Sequence, residues 1–351
     1  MNRVIGQPTI IELSNIHLRY GNTVALSGVD LSIPENRVTV IIGPSGCGKS
    51  STLRCINALV RPEAGEILFQ GKNIWDGDVI ELRRQMGYVI QHVGLMPHMS
   101  VEENVGLVPR LLGIDAESQR SRSRELLSLV KLDPDVYASK YPDQLSGGES
   151  QRVGVARALG ADPPVLLMDE PFGAVDPLTR EILQDEFIRI QRQLKKTVIF
   201  VTHDLDEAVR LADYLVIMKE GTVVQADAAE QILKEPSAGF VEDFLGSDRA
   251  LKRLTLYTAD LIMTPVGGDD AVVEWNLDHN KVPVAGKARV EGSEIVRQID
   301  PASHTVKEYS SLKECMSKIL ALGLPAVPVV DESYRCIGEV SYEQIRRESI
   351  S

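Results

Sequence analysis

Apolar positions in this chain fall into runs of three kinds. The first are short and alternate or cluster. Ile10–Leu13, Ile16–Tyr20 and Val29–Ile33 read as strands, with Gly21-Asn22 as a turn. The second are continuous and often β-branched, as central parallel strands should be: Val38–Ile42, Met86–Gln91, Val165–Met168 and Thr197–Val201. The third repeat every three or four residues and predict helices. Leu53, Ile56 and Leu59 form one such set, followed by Leu126, Leu127 and Val130 within Ser121–Val130. Val153, Ala156 and Leu159 form another within Gln151–Leu159, and Ile182–Leu194 and Leu205–Leu211 follow. Gly65–Gly71 adds a strand, and Tyr214–Met218 with Gly221–Val224 reads as a closing hairpin.

Strand and helix therefore alternate, which predicts an α/β fold. The stretch from about 92 to 158 changes character. It carries Pro97, Pro109 and charged helical segments, and reads as a mostly helical insert between two sheet segments. Past Gly246 the chain changes again. The polar stretch Arg249–Arg253 is taken as a boundary, giving a first domain over 1–248 and a small α/β module over 254–351. Within that module Leu312–Leu322 reads as a helix, Ala326–Val330 and Cys336–Val340 as strands, and Asp331-Glu332-Ser333 as a turn.

Composition narrows the partners. The 351 residues suffice for two or three cored domains, and the 43% apolar and 25% charged fractions are ordinary for a globular chain. A net charge of −12 argues against a nucleic-acid partner. The longest apolar runs, such as Pro163–Met168, are too short to span a bilayer, and no basic stretch followed by an apolar core opens the chain. Cys47, Cys55, Cys315 and Cys336 form no C-x-x-C pair and are read as reduced thiols of the cytosol.

The chemistry centres on Gly43-Pro44-Ser45-Gly46-Cys47-Gly48-Lys49-Ser50. It sits where a buried strand turns into a helix, the context in which G-x-x-x-x-G-K-[ST] cradles phosphate. The glycines let backbone N–H groups point inward, and the helix N-terminus adds partial positive charge. Lys49 is expected on the β- and γ-phosphates and Ser50 on Mg²⁺. Asp169 and Glu170 end the apolar run Val165–Met168; the first suits the Mg²⁺ shell and the second a general base for the attacking water. Gln91, after its strand, could touch Mg²⁺ or that water. His203 follows Thr197–Val201 and reads either as a γ-phosphate contact or as a structural histidine. Tyr20, at a strand end, reads either as a ring for stacking on adenine or as a packing residue. Ser146-Gly147-Gly148 precedes a helix and is either an anion-binding turn or a cap with flexible glycines.

In order, Tyr20, Gly43–Ser50, Gln91, Leu145-Ser146-Gly147-Gly148-Glu149, Asp169-Glu170, Gly173–Asp176 and His203 resemble the A-loop, Walker A, Q-loop, signature, Walker B, D-loop and H-loop of the ATP-binding subunit of an ABC transporter. The resemblance spans roughly 10–246 and implies a P-loop NTPase core with an antiparallel β subdomain and a helical insert. Val89–Met99, Arg152–Leu159 and Met168–Asp176 are similar to the importers of quaternary amines: glycine betaine, proline, carnitine or choline. Ser311–Arg346 resembles one CBS motif, so the second motif is placed at about 305–348. The first begins at Thr258–Met263 and loses its pattern through Trp275–Asp278, so it is read as degenerate. Two positions depart from these importers: Glu149-Ser150 where two glutamines are usual, and Val175 where leucine is usual.

The resemblance implies ATP and Mg²⁺ as cofactors. Ser51 and Asp176 join the nucleotide contacts, and Gln91 joins Ser50 and Asp169 on the metal. It implies a head-to-tail homodimer in which each ATP lies between Lys49 and Ser50 of one chain and Ser146 and Gly148 of the other. It also implies a membrane permease beside the insert near Gln91, a substrate-binding protein reached through that permease, and a peripheral place on the cytoplasmic face of the membrane. The C-terminal module is either a sensor of ionic strength or an adenine nucleotide, or a dimerisation prop. Two rival functions stay open: a soluble ABC-type ATPase of translation or DNA repair, and a nucleotide sensor that only binds ATP. One cassette, the absence of a heptad arm and the acidic balance weigh against the first; Glu170 and His203 weigh against the second.

Overall fold

The computed structural model describes residues 8–90, 94–173, 175–268, 271–290 and 293–350. The chain divides into two compact units, Met1–Ile232 and Leu233–Ser351.

The first unit opens with β1 (Thr9–Tyr20), β2 (Thr23–Pro34) and β3 (Val38–Ile42), then α1 (Lys49–Ile56), β4 (Ala64–Phe69), β5 (Lys72–Asn73), α2 (Val79–Arg84) and β6 (Met86–Val89). Four helices follow: α3 (Val101–Val105), α4 (Leu107–Leu111), α5 (Ala116–Leu129) and α6 (Pro134–Tyr137). After them come α7 (Gly147–Leu159), β7 (Val165–Asp169), α8 (Pro177–Leu194), β8 (Thr197–Val201), α9 (Leu205–Leu211), β9 (Tyr214–Lys219) and β10 (Thr222–Ala228); α10 (Ala229–Lys234) crosses the division. One sheet is antiparallel, in the order β2-β1-β4-β5. The other is six-stranded, in the order β10-β9-β3-β8-β7-β6, parallel except at β10. Every residue of β3 and β8 is buried, which is why those runs are apolar without alternation.

Some predicted elements shift for local reasons. The two short strands expected before Tyr20 are one strand, interrupted by register shifts between Leu13 and Ile16. Asn15 takes a left-handed backbone there (φ 53°), as asparagine tolerates. Helix α8 starts at Pro177, ahead of its predicted Ile182. Asp176 accepts a hydrogen bond from Thr179 N as its N-cap, and proline suits the first turn. Helix α2 shows no apolar period because it is only 6 residues long; Asp78 caps it.

The second unit contains α11 (Phe240–Leu245), α12 (Arg249–Arg253), α13 (Ala259–Ile262), β11 (Thr264–Pro265), β12 (Glu274–Leu277), β13 (Pro283–Val290) and β14 (Ser293–Gln298). It closes with α14 (Pro301–His304), β15 (Val306–Lys307), α15 (Leu312–Leu322), β16 (Ala326–Val330), β17 (Cys336–Ser341) and α16 (Tyr342–Ile350). The division thus falls before the polar stretch that the sequence suggests as a boundary. That stretch is α12, and its Arg253 is buried with its guanidinium 5.8 Å from the Tyr257 ring centroid. Leu312, Cys315, Ile319, Val327, Val329 and Val340 form the centre of this unit's core. The sheet there runs β11-β17-β16-β15.

The residues that lose the expected repeat pattern build a separate three-stranded sheet, β12-β13-β14. Trp275 lies across from Gly286, where a Cβ would come 2.5 Å from the indole ring. Glu339 of β17 fastens this sheet. It is buried, and its two oxygens accept from Val272 N at 2.6 Å and Trp275 Nε1 at 2.7 Å. Burial pushes its carboxyl above the usual range, against those hydrogen bonds. Glu339→Ala leaves both donors without an acceptor and is expected to destabilise the second unit by about 2–4 kcal/mol. Denaturant unfolding followed by Trp275 emission in a Trp75→Phe background checks this; an unchanged midpoint refutes it.

Candidate nucleotide site

Strands β3, β8 and β7 are parallel neighbours, so the loops after them open on one edge of the sheet, where α/β sheets bind ligands. The loop after β3 is shaped by glycine. At Gly43 a Cβ would lie 2.1 Å from Met218 O and 2.8 Å from Cys47 Sγ. At Gly48 it would lie 2.6 Å from Ala25 O, and the backbone there is left-handed at φ 105°. Pro44, Ser45 and Gly46 are exposed, and nothing lies within 4 Å of a Cβ at Gly46. The loop is therefore closed against the sheet and open outward, a cradle with room for an anion.

Lys49 begins α1 and is 7% exposed. Its Nζ donates to Gly43 O at 2.8 Å and Pro44 O at 3.0 Å, so the ammonium lies under the cradle. Cys47 Sγ is 3.9 Å from the same nitrogen, and burial raises its thiol pKa. Ser50 Oγ donates to Asp169 Oδ1 at 2.9 Å, joining α1 to the end of β7. Burial raises the Asp169 carboxyl, and the Ser50 hydrogen bond opposes that. A hydroxyl and a carboxylate oxygen side by side are hard donors of the kind Mg²⁺ prefers, so the donor set fits that ion.

Glu170 follows with a left-handed backbone at φ 45°, uncommon for glutamate, and its N–H donates to Val201 O at 2.9 Å. Its Oε2 lies 3.2 Å from His203 Nδ1, beyond the end of β8. Three strand ends thus bring Lys49, Ser50, Asp169, Glu170 and His203 together. Tyr20, at the end of β1, is 44% exposed. Gln91 lies outside the described residues.

The ABC transporter family profile matches residues 26–173. The chain is 40% identical to the choline transport ATP-binding protein OpuBA of Bacillus subtilis, over 95% of this chain and 94% of that protein. It belongs to the ABC transporter ATP-binding subunits. It is also 41% identical to the osmoprotectant import ATP-binding protein OsmV of Salmonella typhimurium, over 92% of this chain and 90% of that protein. Among solved structures it is similar to the dimeric bacterial ABC transporter cassette MJ0796. There the TM-score is 0.56 at 35% identity, covering 63% of this chain and 99% of that one. ABC ATP-binding subunits are ATPases that couple ATP hydrolysis to transport.

In this ABC subunit the signature loop opens α7. Ser146 is the N-cap of α7: its Oγ accepts from Glu149 N at 3.3 Å, and Glu149 Oε2 accepts from Ser146 N at 2.7 Å. Gly148 packs by the start of α8, where a Cβ would meet Thr179 Cγ2 at 3.0 Å. Asp176, the N-cap of that helix, is exposed.

Sequence reasoning missed Tyr137 and the roles of Glu149 and Asn104. Tyr137 OH donates to Glu149 Oε1 at 2.6 Å; that bond, then the one from Ser146 N–H, hold the Glu149 carboxyl down to about 2. The spacing Ser146-x-x-Glu149 is a readable capping box, whereas a tyrosine twelve residues before Glu149 gives no signal. Asn104 is fully buried and holds a loop: Nδ2 donates to Met96 O, Met99 O and Ser100 O, and Oδ1 accepts from Met96 N.

Proposed function

We propose that this chain binds ATP with Mg²⁺ and hydrolyses it to power a binding-protein-dependent importer of quaternary-ammonium osmoprotectants. The observation that carries the reading is the meeting of Ser50 with Asp169 and of Glu170 with His203 on one sheet edge. Gly43–Ser51 cradles the phosphates, with Lys49 as the fixed cation. Tyr20 stacks on the adenine. Ser50 and Asp169, with Gln91, would hold the magnesium, which would supply positive charge against the triphosphate. Glu170 takes a proton from the attacking water. His203, with Nδ1 3.2 Å from Glu170 Oε2, keeps that carboxylate aimed and contacts the γ-phosphate.

The signature loop serves a second copy of the chain. Ser146, Gly147 and Gly148 take the triphosphate held by the other chain of a head-to-tail homodimer, and Asp176 joins the nucleotide contacts. The neighbouring cassette MJ0796 is described as dimeric. A permease docks on the helical insert at the cytoplasmic face of the membrane. Support comes from the exposed apolar residues there, Met96, Leu111, Leu112 and Ile114, and from the hydrogen bonds by which Asn104 ties down Met96, Met99 and Ser100. By resemblance we assign an ATP-binding domain to 1–248, past the division between the compact units at Ile232, and a CBS-like regulatory module to 254–351.

The cargo class rests on the relatives, whose names give choline, osmoprotectants and, for YehX of Escherichia coli (39% identical over 96% of this chain), glycine betaine. Reconstitution with the permease and binding protein in proteoliposomes tests the proposal. ATP-dependent uptake of labelled choline, glycine betaine, carnitine or proline is expected. ATP turnover indifferent to the permease, with no uptake of any of them, would reject it.

A further inference from the structure

The signature loop carries a negative charge of its own at the place where it is proposed to receive an anion. Both carboxylate oxygens of Glu149 are engaged. Oε2 accepts from Ser146 N at 2.7 Å and Oε1 from Tyr137 OH at 2.6 Å, so the group is fixed rather than free to swing into solvent. The Tyr137 ring is itself held by the Lys140 ammonium, 4.1 Å from its centroid.

This arrangement has two consequences for an incoming phosphate. The Ser146 N–H, which would otherwise be one of the unpaired donors of the first turn of α7, is already used. The donors left are the Gly147 and Gly148 N–H groups and the Ser146 hydroxyl proton, since Ser146 Oγ only accepts from Glu149 N. The carboxylate, moreover, opposes part of the positive end of the helix, which is what draws an anion there.

We propose that Glu149 and Tyr137 set the affinity with which the Ser146 loop takes the triphosphate. Glu149 occupies the Ser146 N–H and keeps a negative charge beside the anion, and Tyr137 fixes it in place. Neither residue touches the reacting atoms; both are positioning residues. The inference rests on the trans seal of the preceding section. Its physical content is a repulsion built into the closed dimer, which loosens ATP binding and favours reopening after hydrolysis.

Glu149→Gln separates charge from geometry. The amide has nearly the same shape, its oxygen still accepts from Ser146 N, and its NH₂ donates to the tyrosine oxygen, so the capping box survives. With the full-length chain, the KM for ATP is expected to fall roughly threefold to tenfold at low ionic strength. The gap from wild type should shrink below about twofold at high ionic strength, because salt screens a charge repulsion but not a packing defect. Tyr137→Phe keeps the charge and loses only one of its two anchors, so its KM should keep the wild-type salt dependence, while kcat falls because the loop is less firmly held. A Glu149→Gln salt profile that overlays wild type, or a KM change equal at both ionic strengths, overturns the inference. Ser146→Arg tells the two failures apart. If Ser146→Arg abolishes turnover and Glu149→Gln changes nothing, only this inference fails; if Ser146→Arg turns over normally, the trans seal itself fails.

Discussion

Replacing Glu170 with glutamine is expected to lower ATP turnover by about 10²–10⁴-fold while leaving ATP binding intact. The substitution keeps side-chain size, so the turn at φ 45° and the hydrogen bond from its N–H to Val201 O are undisturbed. Binding depends on other groups: the glycine cradle, Lys49 under it, and Ser50 joined to Asp169. What is lost is a carboxylate able to accept a proton, beside His203 Nδ1 at 3.2 Å. With the cleavage step blocked and the binding groups retained, ATP should hold two chains together for longer. Phosphate release gives the turnover and a fluorescent ATP analogue the binding. Size-exclusion chromatography with ATP should show the variant as a dimer where wild type reverts to monomer. Turnover at the wild-type rate would remove Glu170 as the base.

How much of this was legible depends on whether a residue's task leaves a pattern near it in the chain. The phosphate loop did, because Val38–Ile42 is buried on both faces and Gly43 and Gly48 meet backbone at 2.1 and 2.6 Å, leaving no room for other residues. Asp169-Glu170 did, because the buried strand before it has to stop at the sheet edge. The left-handed turn at Glu170 did not, since glutamate carries no signal for it. The bond between Tyr137 and Glu149 joins two helices through a loop and follows no period. The sheet β12-β13-β14 was also hidden. Most of β14 is exposed, and β13 carries Gly286 under Trp275 where an apolar residue would have marked a strand. The division before Leu233 left no mark because α10 runs through it.

Gly48→Ala is the other substitution expected to silence the site, by removing binding rather than chemistry. Gly48 is the N-cap of α1 with φ 105°, a conformation an alanine adopts only with strain. The added methyl would also lie 2.6 Å from Ala25 O and 2.7 Å from Leu26 Cδ2, both in β2. Neither neighbour yields easily: one is backbone in a strand, and Leu26 is fully buried. The loop must therefore lift from β2, carrying the first turn of α1 and with it Lys49 and Ser50. The cradle N–H groups and the Ser50–Asp169 pair then lose their alignment together, so ATP affinity should fall by about 100-fold or more. Gly46→Ala is the comparison. It has the same handedness at φ 79° but nothing within 4 Å of the new methyl. Only the backbone term of about 1–2 kcal/mol applies there, an affinity loss of roughly tenfold. Titration of both variants with a fluorescent ATP analogue, with far-ultraviolet circular dichroism to show that the sheets remain, checks the ranking. Equal losses would mean that the backbone conformation alone, and not the approach to β2, makes Gly48 indispensable.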